Sequence, residues 1–112
     1  MMYTDTSRGR PFAKDPGVVA FDNVFFMYYS VAPFADEPSA EGWRIGIARS
    51  SDLDTWGKMG EIEPLSPCDR NGLCAPGPIV FDGKVHLFYQ SYGNGCHDAI
   101  CHAISSDIGE QQ

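Results

Sequence analysis

The chain has 112 residues, of which 43% are hydrophobic and 12% aromatic, the composition of a chain that packs rather than one that stays disordered. Its formal charge is −7, with only 8 Lys and Arg and no basic run. That deficit argues against neutralising nucleic-acid phosphates and against docking on an anionic membrane. No apolar run approaches the ~20 residues that span a bilayer. Residues 1–10 are polar and lack an apolar signal core, so the chain is expected to be cytoplasmic or to lack its leader.

Residues 17–21 read as an inner strand, opened by Pro16 and closed by an Asp22-Asn23 turn. Both turn residues tolerate the left-handed backbone of a tight hairpin. Residues 24–30 form a second strand rich in Phe, Tyr and Val, side chains that suit a pleated surface. Residues 31–42 hold Pro33, Pro38 and the acids Asp36, Glu37 and Glu41, and read as a loop. Residues 43–50 are a third strand, with Trp43, Ile45 and Ile47 on one side by period two. A short outer strand is expected at 55–60 around Trp56, followed by a turn-rich linker over 61–73.

The pattern then recurs. An inner strand at 78–81, an Asp82-Gly83 turn, a second strand at 84–91 and a third at 99–105 repeat the first set at an offset of roughly 55 to 61 residues. The tail from Asp107 stops where a second outer strand is expected. Gly (12) and Pro (8) punctuate the whole chain, so no substantial helix is expected. A small antiparallel sheet cannot bury both faces alone, and two copies are too few to close a ring. The chain is therefore expected to be an all-β part of something larger, with exposed blade edges that favour self-association.

The order of motifs resembles the five-bladed β-propeller glycoside hydrolases of families 43, 32 and 117. Lys14-Asp15-Pro16 before a buried strand, a turn, and an aromatic strand ending in Tyr29-Ser30 is similar to their first blade. Cys74-Ala75-Pro76-Gly77 followed by residues 82–89 is similar to their second, where the familiar form is Trp-Ala-Pro-Asp. Ser50-Ser51-Asp52-Leu53, with Trp56 beyond, looks like their blade-closing turn. The resemblance covers about residues 8–108. It implies antiparallel propeller blades, about two of five, with blade one at about 15–60 and blade two at about 75–108, its outer strand missing.

The resemblance also implies a chemistry. Glycosidic cleavage uses two carboxyl groups, one protonating the leaving oxygen and the other activating water or attacking the sugar. Asp15, at the start of an inner strand, matches the general base of an inverting enzyme or the nucleophile of a retaining one; an aspartate capping the turn before Pro16 is the plainer alternative. The second family carboxylate falls on Gly77 here, and nothing matches the proton donor. A lone carboxylate cannot serve as both acid and base, so the chain by itself is expected to be inactive. Asp98, with His97 beside it, is a candidate substrate contact. Trp43, Tyr92 and Phe34 are candidate stacking platforms, against the alternative of interblade core. Arg8 and Arg10 are candidate hydroxyl donors but more plausibly lie in a solvated terminus. No cofactor or metal is expected: the Cys68, Cys74, Cys96, Cys101 spacing, with His97 or His102, fits zinc knuckles poorly, and adjacent Cys-His pairs on a strand face opposite ways. The four cysteines are expected to be thiols. A non-catalytic carbohydrate-binding or assembly propeller module is the rival to a glycoside hydrolase.

Overall fold

A computed structural model describes residues 2–33, 42–64, 72–91 and 99–104. The described residues form no helix and two antiparallel sheets. The first sheet runs β1 (Lys14–Phe21), β2 (Val24–Val31), β3 (Arg44–Ser50) and β4 (Gly57–Ile62), in that spatial order. The second runs β5 (Leu73–Phe81), β6 (Lys84–Ser91) and β7 (Ile100–Ile104).

Both hairpins turn on consecutive positive-φ residues, Asp22 (56°) and Asn23 (66°) in one, Asp82 (55°) and Gly83 (72°) in the other. That double left-handed turn matches the natural twist of the flanking strands. The inner strands begin earlier than the sequence suggests, at Lys14 rather than 17 and at Leu73 rather than 78. The reason is a bulge in each, between Lys14 and Gly17 and between Cys74 and Gly77. A bulge takes Pro16 and Pro76 out of the ladder, so their missing N–H groups interrupt no pairing. The outer strand likewise lies two residues later than expected, at Gly57–Ile62.

Period-two alternation gives each sheet two distinct faces. Tyr28, Ile45, Ile47 and Ile62 of the first sheet pack on Leu73, Val85, Leu87, Tyr89 and Ala103 of the second, forming the main core. At about 25 cal/mol per Å² of apolar area removed from water, this junction is the chief source of stability. The two inner strands meet closely: a side chain at Gly17 would lie 2.4 Å from Pro78 Cδ. Beside them, the Leu73 amide donates to the Trp43 carbonyl at 3.0 Å.

The opposite face of the first sheet, with Met27, Tyr29, Val31 and Ala48, is partly covered by Tyr3 and Trp56. Residues 2–12 form an arm there, pinned by paired backbone bonds between Asp5 and Phe12. Asp5 is buried and accepts from Ser7, from Tyr29 Oη at 2.8 Å and from Lys58 Nζ at 2.8 Å. Burial works to raise the Asp5 pKa, but the Lys58, Ser7 and Tyr29 hydrogen bonds outweigh it and hold the carboxyl at about 2. Glu61 is also lowered: burial opposes, while Arg8 and Lys58 prevail. Tyr29 is pushed well above the usual phenol range by burial and by its bonds to Tyr3 and Asp5, and burial alone takes Tyr28 to about 12.

Candidate active-site end of the sheets

Asp15 sits at the second position of β1, inside the bulge, with φ at +56°. Aspartate tolerates this left-handed backbone better than most residues. Its side chain is exposed, and Oδ2 accepts a 2.9 Å hydrogen bond from Ser30 Oγ across the β1–β2 pair. Ser30 Oγ in turn accepts the backbone amide of Ala75 at 2.7 Å. Ala75 occupies the matching bulge of the second repeat and shares its left-handed backbone, φ +53°. The starts of the two inner strands are thus joined side by side through one hydroxyl.

Trp43, just before β3, lies at this same end of the first sheet. Its half-buried ring meets Phe12 edge-on at 5.7 Å, and Lys14 Nζ rests 5.1 Å from its centroid. Lys14 directly precedes Asp15 in sequence. Arg10 stands 5.8 Å from the Phe12 ring. Arg8 departs from the expected solvated terminus: it is buried and paired with Glu61 beneath the arm. Asp98 and His97 lie outside the described residues, as do Phe34, Tyr92, Cys68 and Cys96.

Beside Lys14 and Pro16, on the side of the first sheet away from the second, a half-open cavity of about 220 Å³ is floored by Met27 and Tyr29 and walled by Tyr3 and Trp56. Trp56 reads in the sequence as part of the blade-closing turn and of an outer strand; it lies just before β4, and the turn is well formed. Ser50 Oγ accepts the Asp52 and Leu53 amides, while Asp52 Oδ1 accepts those of Asp54 and Thr55. The Thr55 and Asp54 amides, with the Ser50 hydroxyl, lower the Asp52 pKa.

Among the described residues, no second carboxylate hydrogen-bonds or stands in the Asp15 bulge region. Asp22 and Asp82 occupy the hairpins at the far end of the inner strands, Asp52 and Asp54 the turn after β3, Asp5 the arm and Glu61 the part of β4 beneath it. Glu63, beyond β4, pairs with Arg44 at 3.2 Å. Gly77 has room for a side chain: a Cβ there would meet only the Phe88 carbonyl oxygen, at 3.8 Å. The arrangement can present one fixed carboxylate beside an aromatic and cationic rim. Ser30 and Ala75 fall within the motifs quoted above, but the sequence reading gave neither a role, because their meeting depends on how the two repeats pack.

No family model matches the chain. A probable arabinan endo-1,5-alpha-L-arabinosidase A of Aspergillus fumigatus is 32% identical over 85 residues, which cover 74% of this chain and 25% of that protein. A solved structure, a family 117 glycoside hydrolase produced by the marine bacterium Zobellia galactanivorans, superposes with a TM-score of 0.65 at 22% identity. The chain resembles the propeller glycoside hydrolases in sequence and in fold. The superposition takes in 95% of this chain and 39% of the Zobellia structure, so the chain spans well under half the length of either protein. The two sheets, in an order that radiates from adjacent inner strands, are the arrangement that such a likeness requires.

Proposed function

We propose that this chain contributes to a glycoside hydrolase acting on oligo- or polysaccharides, with Asp15 as its reactive carboxylate and its two sheets as blades of a propeller. One observation carries the reading: Asp15 is held at the start of an inner strand, directly beside the matching bulge of the next repeat. In a propeller, inner-strand starts from successive blades surround a common hollow, where carboxylates from different blades meet one sugar.

In such a site a carboxylate takes a proton from water as the water oxygen bonds to the anomeric carbon, or it attacks that carbon itself. The glycosidic C–O bond breaks, and its electron pair leaves with the departing oxygen, which takes a proton from a second acid. Asp15 fits the first role. The second acid is not among the described residues at this end, so the isolated chain is expected to lack full turnover. Trp43 supports a sugar-facing rim, with Asp98 and His97 as further contacts. The arabinan-cleaving name of the Aspergillus relative makes arabino-oligosaccharides the first substrates to try.

Reducing-end release from an oligosaccharide panel, by the complete propeller that carries this chain, tests the reading. Asp15→Asn should lower turnover by about 10²- to 10⁴-fold, the usual range for a lost acid–base group, without changing the thermal transition. Turnover retained by the variant would remove Asp15 from the chemistry. Oligosaccharide binding without cleavage, unaffected by Asp15→Asn, would favour a binding module, which the absent carboxylate at Gly77 also suits. The uncovered side of the second sheet, with Ile79, Phe81, Phe88 and Ile100 exposed, supports self-association of the chain produced alone.

A further inference from the structure

Ser30 has no exposed surface, yet its hydroxyl engages groups from both repeats. It accepts the Ala75 amide at 2.7 Å and donates to Asp15 Oδ2 at 2.9 Å. A serine hydroxyl carries a single proton, a backbone amide can only donate, and an ionised carboxylate can only accept. The directions of both bonds are therefore forced, with no freedom for the hydroxyl to rotate. Each bond polarises the next in such a chain. Among the described residues none donates to Asp15 Oδ1.

We propose that Ser30 is a positioning residue for Asp15: through it the second repeat clamps Oδ2 and leaves Oδ1 as the oxygen that faces substrate. The inference rests on the reading of Asp15 as the reactive carboxylate. It also accounts for a backbone oddity. Alanine disfavours a left-handed conformation, and Ala75 adopts one. That conformation aims its amide at the hydroxyl instead of at a ladder partner, which the bulge has removed. Strain kept where it orients a polar group is a pattern of functional sites.

Two measurements test it. In ¹⁵N-labelled protein, Asp15→Ala should move the Ala75 amide resonance, and the same change in a Ser30→Ala background should leave that resonance where Ser30→Ala alone puts it. Ser30→Thr, which keeps the hydroxyl, should preserve the response, and it serves if Ser30→Ala folds poorly. On whichever oligosaccharide the protein cleaves, Ser30→Ala should lower kcat about 100-fold, the order expected for a misplaced reacting group. KM should stay within about twofold and Ser30→Thr should restore kcat, which a merely structural defect would not do. An Ala75 amide that responds to Asp15 equally without the hydroxyl would overturn the relay, as would Ser30→Ala with undiminished kcat per folded molecule. A complete propeller carrying this chain that cleaves no glycoside would instead remove the reading of Asp15 beneath it, with the amide response still reporting on the relay.

Discussion

The two repeats share a backbone and differ in what they ask of it. Register equates Asp15 with Ala75, Tyr28 with Phe88, Gly46 with Cys101 and Ile47 with His102. In the first repeat, Tyr28 and Ile47 face the neighbouring sheet and are buried. In the second, Phe88 is 41% exposed and stacks on His102, whose Nε2 lies 2.9 Å from His86 Nδ1. The first repeat also brings its own cover, the arm, and keeps the carboxylate. Among the described residues, the second supplies a backbone amide to the shared end. Matching strands thus carry unequal duties, and identity at a position follows the neighbour it meets rather than the fold it belongs to.

The arm is where this asymmetry is easiest to break. Lys58→Met would leave Asp5 buried without its cation, a loss of about 3 to 5 kcal/mol for a broken buried pair. An unfolding free energy from urea titration lowered by less than about 1 kcal/mol would show that the arm contributes little. The acid limb should report the same pair. The Asp5 carboxyl sits at about 2 when folded, against roughly 3.9 in an unfolded chain. Its contribution is therefore fully present above about pH 4 and is lost as the pH falls through 2. Tyrosine fluorescence should follow the arm's release across that window, and a pH-independent signal there would contradict the assignment.

Gly46 gives the next largest effect. A Cβ at that place would lie 2.4 Å from Tyr29 Cζ, so Gly46→Ala should destabilise by about 1 to 3 kcal/mol, as overpacking does. The second repeat carries Cys101 opposite Tyr89, and Cys101→Ala should be milder, at most about 1.5 kcal/mol. Equal losses in thermal unfolding would mean that the two tyrosines pack alike. Ala75→Gly should stabilise by at most about 1 kcal/mol, because relief of a left-handed alanine, roughly 1 to 2 kcal/mol, exceeds the roughly 0.4 to 1 kcal/mol of chain entropy that glycine costs; a loss instead would show that the methyl group packs. Gly77→Asp should change stability by no more than about 0.5 kcal/mol, as surface substitutions usually do. It would return a carboxylate to the place where the family motif has one, and a large loss would indicate that the backbone there demands glycine.

Much of this was legible in the residues. Alternation in β2 and β3, the Asp-Asn and Asp-Gly hairpins and the offset repeat are local signals, and each specifies its own strand or turn. The bulges were not legible, because Pro16 reads as a strand opener, and the second inner strand as starting at Pro78, unless the pairing partner is known. The arm escaped for a different reason. Residues 2–12 are polar, and nothing in Asp5 or Arg8 announces burial until Lys58 and Glu61 arrive from a strand some fifty residues away. Ser30 illustrates the same limit at the candidate site. Its role depends on an amide in another repeat, and no single-strand pattern encodes that meeting.

The arm has a consequence for how the polypeptide emerges during synthesis. Domains generally fold from the N-terminal end as the ribosome releases them. Once Ile62 is out, the described residues that cover the Met27–Tyr29 side are already present, including the partners of Asp5 and Arg8. The Tyr28–Ile47 side then waits for the second sheet, so the arm can close on its face before the next repeat emerges.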